Sequence, residues 1–273
     1  VVTWGDKENG GDSSSVAEDI SSQVREIYST QKAFAAIKED GSVVTWGNDL
    51  NGGNSSSVTT EISSDVKEIF STLNSFAALK EDGSVVTWGN EINGGNSTSV
   101  ATEITNEVKE LFATETAFAA LKEDGTIISW GDLNNSGSNT SRIHRGVGEI
   151  ENIYTNSHSF AALKKDGSVI TWGKSDWGGD STALRTSLDS NVVDIISNDK
   201  SFSALKEDGS IVSWGQRFDG SAFDLENQPD HSSKIKELST PLNRVLSTSK
   251  LEDKLDSLQQ KIDDIEYNNK NSF

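Results

Sequence analysis

Residues 66–89 read VKEIFSTLNSFAALKEDGSVVTWG, and this stretch decides the fold. VKEIF is short and rich in β-branched and aromatic residues, the composition of a strand. FAALK and SVVTW follow as two more strands. Between them, Glu81-Asp82-Gly83 is a hairpin signal, since a type I′ turn needs φ > 0 at both central residues and Asp-Gly tolerates it. Neither FAAL nor VVTW alternates apolar with polar residues. Continuous apolar runs belong to strands covered on both faces.

Outward from this stretch, residues 90–107 (NEINGGNSTSVATEITNE) complete a unit. Gly-Gly with Asn and Ser marks a loop, and the stretch from Val100 to Ile104 is read either as a helical turn or as an outer strand. The unit then recurs. Trp4, Trp46, Trp88, Trp130, Trp172 and Trp214 each precede a glycine at 42-residue intervals, and Phe34, Phe76, Phe118, Phe160 and Phe202 keep the same step. A fixed period of this length is the signature of a repeat architecture. Helical repeats would show 3.6-residue periodicity, and a β-helix would need shorter coils. Small sheets stacked face to face around an axis fit both the period and the doubly covered strands, so the expected fold is an all-β propeller. The paired alanines of each FAAL strand suit close approach between neighbouring sheets.

The sequences FAALKEDGSVVTWG and IFSTLNSFAAL, recurring over residues 1–215, resemble repeats of the regulator of chromosome condensation family, in the short form found in secreted bacterial propellers. The resemblance implies the strand order strand, small residues, strand, Asp-Gly hairpin, Trp-Gly. Two departures separate these units from the long eukaryotic form. They have 42 residues instead of about fifty, and Ser71-Thr72 with Phe76 stand where that form has Gly and His. Guanine-nucleotide exchange, the best-known activity of the long form, is therefore the least favoured function.

The propeller is expected over residues 1–246, regular to 215 and degenerate over 216–246. Val1–Gly5 reads as the last strand of a unit, and residues 232–246 (SSKIKELSTPLNRVL) echo SSDVKEIFSTLNSFAAL. Together they would give a six-bladed ring; the alternative is a seven-bladed ring with units upstream of Val1. Pro229 and Pro241 mark the end of the regular array. Leu251, Leu255, Leu258, Ile262 and Ile265 then follow a 4-3-4-3 heptad spacing, with Ser249 and Glu252 as a capping box. A helix is expected over 249–267, either as a homo-oligomerisation seam or packed on its own propeller, followed by a disordered tail at 268–273.

Composition narrows the function. With 24 Lys and Arg against 43 Asp and Glu, the net charge of −19 repels nucleic acid. No cysteine is present, so disulfides and thiolate metal sites are excluded. No apolar run reaches the ~18 residues of a membrane span. The chain contains no methionine, so Val1 is read as following processing or fragmentation. Only His144, His158 and His231 are available for acid–base work, and no phosphate or dinucleotide fingerprint appears. The expectation is no enzyme, no cofactor and no metal. Asp132, Asn134 and Ser136 have the spacing of a calcium-loop start, but Ile143 stands where the bidentate Glu belongs.

The Asp-Gly turns at one end of the strands are nearly identical between units, whereas the loops after Trp-Gly differ. Divergent loops on a rigid scaffold are where recognition resides. The candidate partner-binding residues are Glu8, Asp49, Glu91, Asn134, Asp176, Trp177, Arg217 and Phe218, with Trp177 and Phe218 as aromatic anchors. The expected function is a protein-binding or scaffold module, with a glycan as second candidate partner. The alternative is a repeat segment of a bacterial cell-surface or secreted adhesin-like protein. An extracellular or surface location is favoured over a cytoplasmic one.

Overall fold

The computed structural model describes residues 1–135 and 140–216. These all lie in the first of the two units into which the chain divides, Val1–Gln228 and Pro229–Phe273. The degenerate repeat from residue 217 on, the heptad helix with Leu251, Leu255, Leu258, Ile262 and Ile265, and the tail fall outside the described residues.

Five small antiparallel sheets succeed one another along the described chain. The first comprises β1 (Val24–Ser29), β2 (Ala33–Lys38) and β3 (Val43–Gly47); the second comprises β4 (Val66–Ser71), β5 (Ser75–Lys80) and β6 (Val85–Gly89). The third has β7 (Val108–Ala113), β8 (Ala117–Lys122) and β9 (Ile127–Gly131), plus β10 (Thr140–His144) on its outer edge. The fourth comprises β11 (Ile150–Thr155), β12 (Ser159–Lys164) and β13 (Val169–Gly173); the fifth comprises β14 (Val192–Asn198), β15 (Ser201–Lys206) and β16 (Ile211–Gly215). Each repeat thus forms one up-and-down sheet, as a propeller requires.

Packing explains the missing polar alternation. Phe76, Ala78 and Trp88 of the second sheet lie against Ala33, Ala35 and Ile37 of the first. Ala77 and Leu79, on the opposite face of β5, pack with Leu111, Phe118 and Trp130 of the third. The same contact recurs between the third and fourth sheets and between the fourth and fifth. Both faces of the central strands β5, β8 and β12 are therefore in the core, whereas Ser203 and Leu205 on the outer face of β15 are only partly buried, and alanine lets the sheets close. Phe76 is the cross-strand partner of Trp88, with ring centroids 5.3 Å apart. Phe160 stacks on Trp172 at 5.1 Å. Burying each such side chain contributes roughly 2–3 kcal/mol.

Three details depart from, or decide between, the sequence readings. The hairpin turns are not type I′, because φ is positive at Gly83 (+75°) and not at Asp82. Gly83 N–H donates to Lys80 O and Lys80 N–H to Ser84 O, a three-residue loop that needs left-handed backbone only at the glycine. Asp82 Oδ1 accepts from Ser84 N–H at 2.9 Å and from its hydroxyl at 2.6 Å, which holds the aspartate in that turn. Second, Val1–Gly5 forms no strand, and Trp4 is 84% exposed where Trp130 and Trp172 are 0% exposed. A strand needs a neighbour, and among the described residues Trp4 has no cross-strand phenylalanine. Third, the segment after the Gly-Gly loop takes both of its readings. It is a 3-10 turn at Thr98–Val100, with Val100 and Ile104 buried on the sheet, and an outer strand at β10.

The loop glycines are fixed by close approach. Gly94 has φ +99°, and a Cβ there would lie 2.6 Å from the Phe118 ring, whereas at Gly5 (φ +112°) it would meet nothing within 4 Å. Gly94→Ala is expected to lower stability by about 3 kcal/mol, from backbone strain plus overlap. Gly5→Ala is expected to cost about 1 kcal/mol, from strain alone. Urea unfolding of the two variants checks the difference.

Candidate functional site

The loops after Trp-Gly share one geometry. Asp6, Asn48 and Asn90 cap a short helical turn by accepting from the N–H two residues on, at 2.9, 3.1 and 3.1 Å. Left-handed Gly10, Gly52 and Gly94 follow. Glu8, Asp49, Glu91 and Asp176 stand on exposed turns, one per loop, with Glu8 and Asp176 sharing one repeat position and Asp49 and Glu91 the position before it. Asn134 is exposed on the loop after β9. The structure sets these residues out as a series of stations instead of gathering them into a cluster. Arg217 and Phe218 lie outside the described residues.

Trp177 is the exception to this uniformity. Its place in the regular loops belongs to residues such as Asn51, whose amide donates to the side-chain oxygen of Asn74 in the next unit. At the Trp177 station the bond is replaced by stacking. Lys174 Nζ lies 4.3 Å from the indole centroid and Lys200 Nζ lies 4.9 Å from it. His158 meets the ring edge-on, with centroids 4.4 Å apart and planes at 71°. Asn156 Nδ2 donates to Trp177 O at 2.6 Å. Each cation–π contact is worth about 0.5–2 kcal/mol. Lys174 stands where Asp6, Asn48 and Asn90 cap their turns; an ammonium cannot accept, so the cap is lost and the charge settles on the indole.

His158 is 7% exposed, and its Nδ1 is buried without a hydrogen-bond partner among the described residues. Burial holds its pKa below the ordinary histidine value. Lys174 pushes the same way, against the opposing charges of Glu115 and Asp132. The ring is therefore neutral near pH 7. Lys174, Lys200 and Asn156 were not among the candidate binding residues read from the sequence, and His158 was noted there only as one of the three histidines. The available signal was repeat alignment, which shows Lys174 breaking a run of Asp and Asn.

The opposite end carries the repeated hairpins. The Asp40, Asp82, Asp166 and Asp208 carboxyls are held below the usual range chiefly by the hydroxyl of the serine two residues on. These acids serve the turns. Among the described residues no group of three His, Cys, Asp or Glu side chains is placed to hold a metal ion. Asp132 is buried at 3% exposure.

The fold and loops define a β-propeller-type repeat protein. No family model and no curated protein matches the chain. Solved structures with a similar course include human WBSCR16, at 18% identity over 72% of this chain and 63% of that one, TM-score 0.45. Prp20p from Saccharomyces cerevisiae, the yeast RCC1, shows 16% identity over 70% of this chain and 58% of that one, TM-score 0.45. The computationally designed Ika8 protein shows 18% identity over 74% and 60%, TM-score 0.38. The chain thus spans about three-fifths of the length of each of these proteins.

Because the folded-state pKa of His158 is depressed, the folded form binds its proton later than the unfolded chain does. Stability is complete above the unfolded value of about 6.5 and declines as pH falls from there to the folded value. His158→Asn, which installs the residue found at Asn74, is expected to reduce the stability lost between pH 7.5 and 5.0. Urea midpoints at the two pH values measure it.

Proposed function

We propose that the chain is a non-enzymatic binding module that recognises a protein through its loop end, with Trp177 as anchor. The observation that carries this reading is the Trp177 station itself. One loop carries a large aromatic side chain that is only half-buried and is held by Lys174, Lys200, His158 and Asn156. An indole fixed before binding loses little side-chain entropy on association, and aromatic anchors of this kind dominate interface energies. The loop framework around it is rigid, while its exposed residues differ from repeat to repeat. That combination suits selective recognition. The −19 charge favours a protein over a nucleic acid.

Affinity capture with the whole chain tests this reading, comparing the unmodified protein, Trp177→Ala and Glu81→Ala at the hairpin end. A specific partner is expected to be recovered equally by the unmodified chain and by Glu81→Ala. Its affinity for Trp177→Ala, measured by titration, is expected to fall at least tenfold. Equal affinity for Trp177→Ala would contradict the anchor.

A further inference from the structure

The repeat that begins after Trp130 breaks the pattern in a way that opens a groove. Residues 10–11, 52–53, 94–95 and 178–179 are Gly-Gly, but 136–137 are Ser-Gly. In the flanking units, apolar side chains close over the sheet: Val100 with Ile104, and Leu184 with Leu188, all buried. The corresponding positions in the aberrant unit are Arg142 and Gly146. Instead of folding over the next sheet, the segment pairs with β9 as β10. What remains between β10, β13 and the one-turn helix Arg185–Leu188 is an open cavity of about 840 Å³.

Its lining is chemically selective. Arg142, Lys164 and Arg185 face this cavity together with Asp166, Asp180 and Asp189, and His144 lines it as well. Lys164 pairs with Asp166 at 3.7 Å, but neither Arg142 nor Arg185 has a carboxylate partner among the described residues. Two nitrogens beside the cavity are also unsatisfied. Trp172 is 0% exposed and its Nε1 has no acceptor among the described residues, and His144 Nε2 is buried without a partner. Their rings are 5.2 Å apart. Buried polar atoms are rarely left unpaired, so His144 Nε2 points to a missing partner, whereas the acceptor position of Trp172 in the repeat pattern, residue 136, lies outside the described residues.

We propose that this groove binds an acidic saccharide, a hydroxyl-rich sugar ring carrying a carboxylate. Two guanidinium groups supply planar forks that match a carboxylate. Asp180 and Asp189 share the lining with Ser175 and Ser181, and aspartates repel a polyanion but accept from sugar hydroxyls. Asp180 engages Thr182 through Oδ1, which leaves its other oxygen able to take a ligand hydroxyl. A ring with one carboxylate and several hydroxyls satisfies both sets of groups at once. The cavity lies within the usual range of ligand sites, roughly 300–1,000 Å³.

Calorimetric titration of the full chain tests the assignment with three probes: digalacturonic acid, the neutral disaccharide galactobiose, and succinate. Digalacturonic acid is expected to bind at least tenfold more tightly than either of the others. Because Arg142 and Arg185 are exposed, the double variant Arg142→Gln/Arg185→Gln is expected to keep its urea midpoint while losing at least tenfold in uronide affinity. Absence of uronide binding overturns the proposal. So does equal binding of galactobiose, which removes the role of charge, or of succinate, which removes the role of the ring. Undiminished uronide binding by the double variant overturns the placement in this groove.

Discussion

Trp46, Trp88, Trp130 and Trp214 each donate from the indole Nε1 to the carbonyl of a glycine 36 residues earlier, Gly10, Gly52, Gly94 and Gly178, at 3.0–3.1 Å. An indole buried between sheets must place its N–H on an acceptor or carry the full cost of desolvating it. The acceptor turns inward because the loop glycine takes positive φ, and the phenylalanine ring of the next sheet occupies the space a Cβ would need. One bond thus joins the core of one sheet to the loop of the sheet before it. The loop backbone is fixed by that bond, so the residues on its outer side are free to vary without disturbing the fold.

Backbone contacts reinforce this coupling at both ends of the sheets. At the loop end, Gln31 N–H donates to Leu73 O, Leu73 N–H to Glu115 O, Glu115 N–H to Ser157 O and Ser157 N–H to Asp199 O, one link per sheet. At the hairpin end, Val66, Val108 and Val192 donate to Gly41, Gly83 and Gly167 of the preceding unit at 3.0 Å. These bonds stiffen the platform on which Trp177, His158 and Lys200 meet, although each comes from a different loop. The same regularity makes the departure at β10 informative. Where the loop sequence changes, Trp172 is without its acceptor among the described residues and the groove appears.

Much of the fold was legible because its signals are local or periodic. The 42-residue step, the doubly apolar FAAL and VVTW strands and the Asp-Gly tips each reduce to short stretches. The turn type was not legible, since Asp-Gly serves a two-residue and a three-residue loop equally well and the choice rests on how Ser84 meets Asp82. Trp4 carries the repeat motif without the strand, because a strand is a property of a pair. Trp177 stood out as the one tryptophan off the repeat. Its neighbours His158, Lys174 and Lys200 did not, because only the registration of successive sheets brings them together. Arg142 could be aligned with Val100, but only the packed sheet shows that Val100 is a plug and what its loss uncovers.

Among the described residues the indole-to-glycine bond couples four of the five sheets, all but the fourth, to the loop before it. Trp130 and Trp172 test this coupling directly, because both are fully buried and both lie against a phenylalanine ring, yet among the described residues only Trp130 has an acceptor for its indole N–H. Urea unfolding of Trp130→Phe and Trp172→Phe should show Trp130→Phe less stable by about 1–3 kcal/mol, the cost of leaving the Gly94 carbonyl buried and unpaired. Equal losses in the two variants would contradict the account.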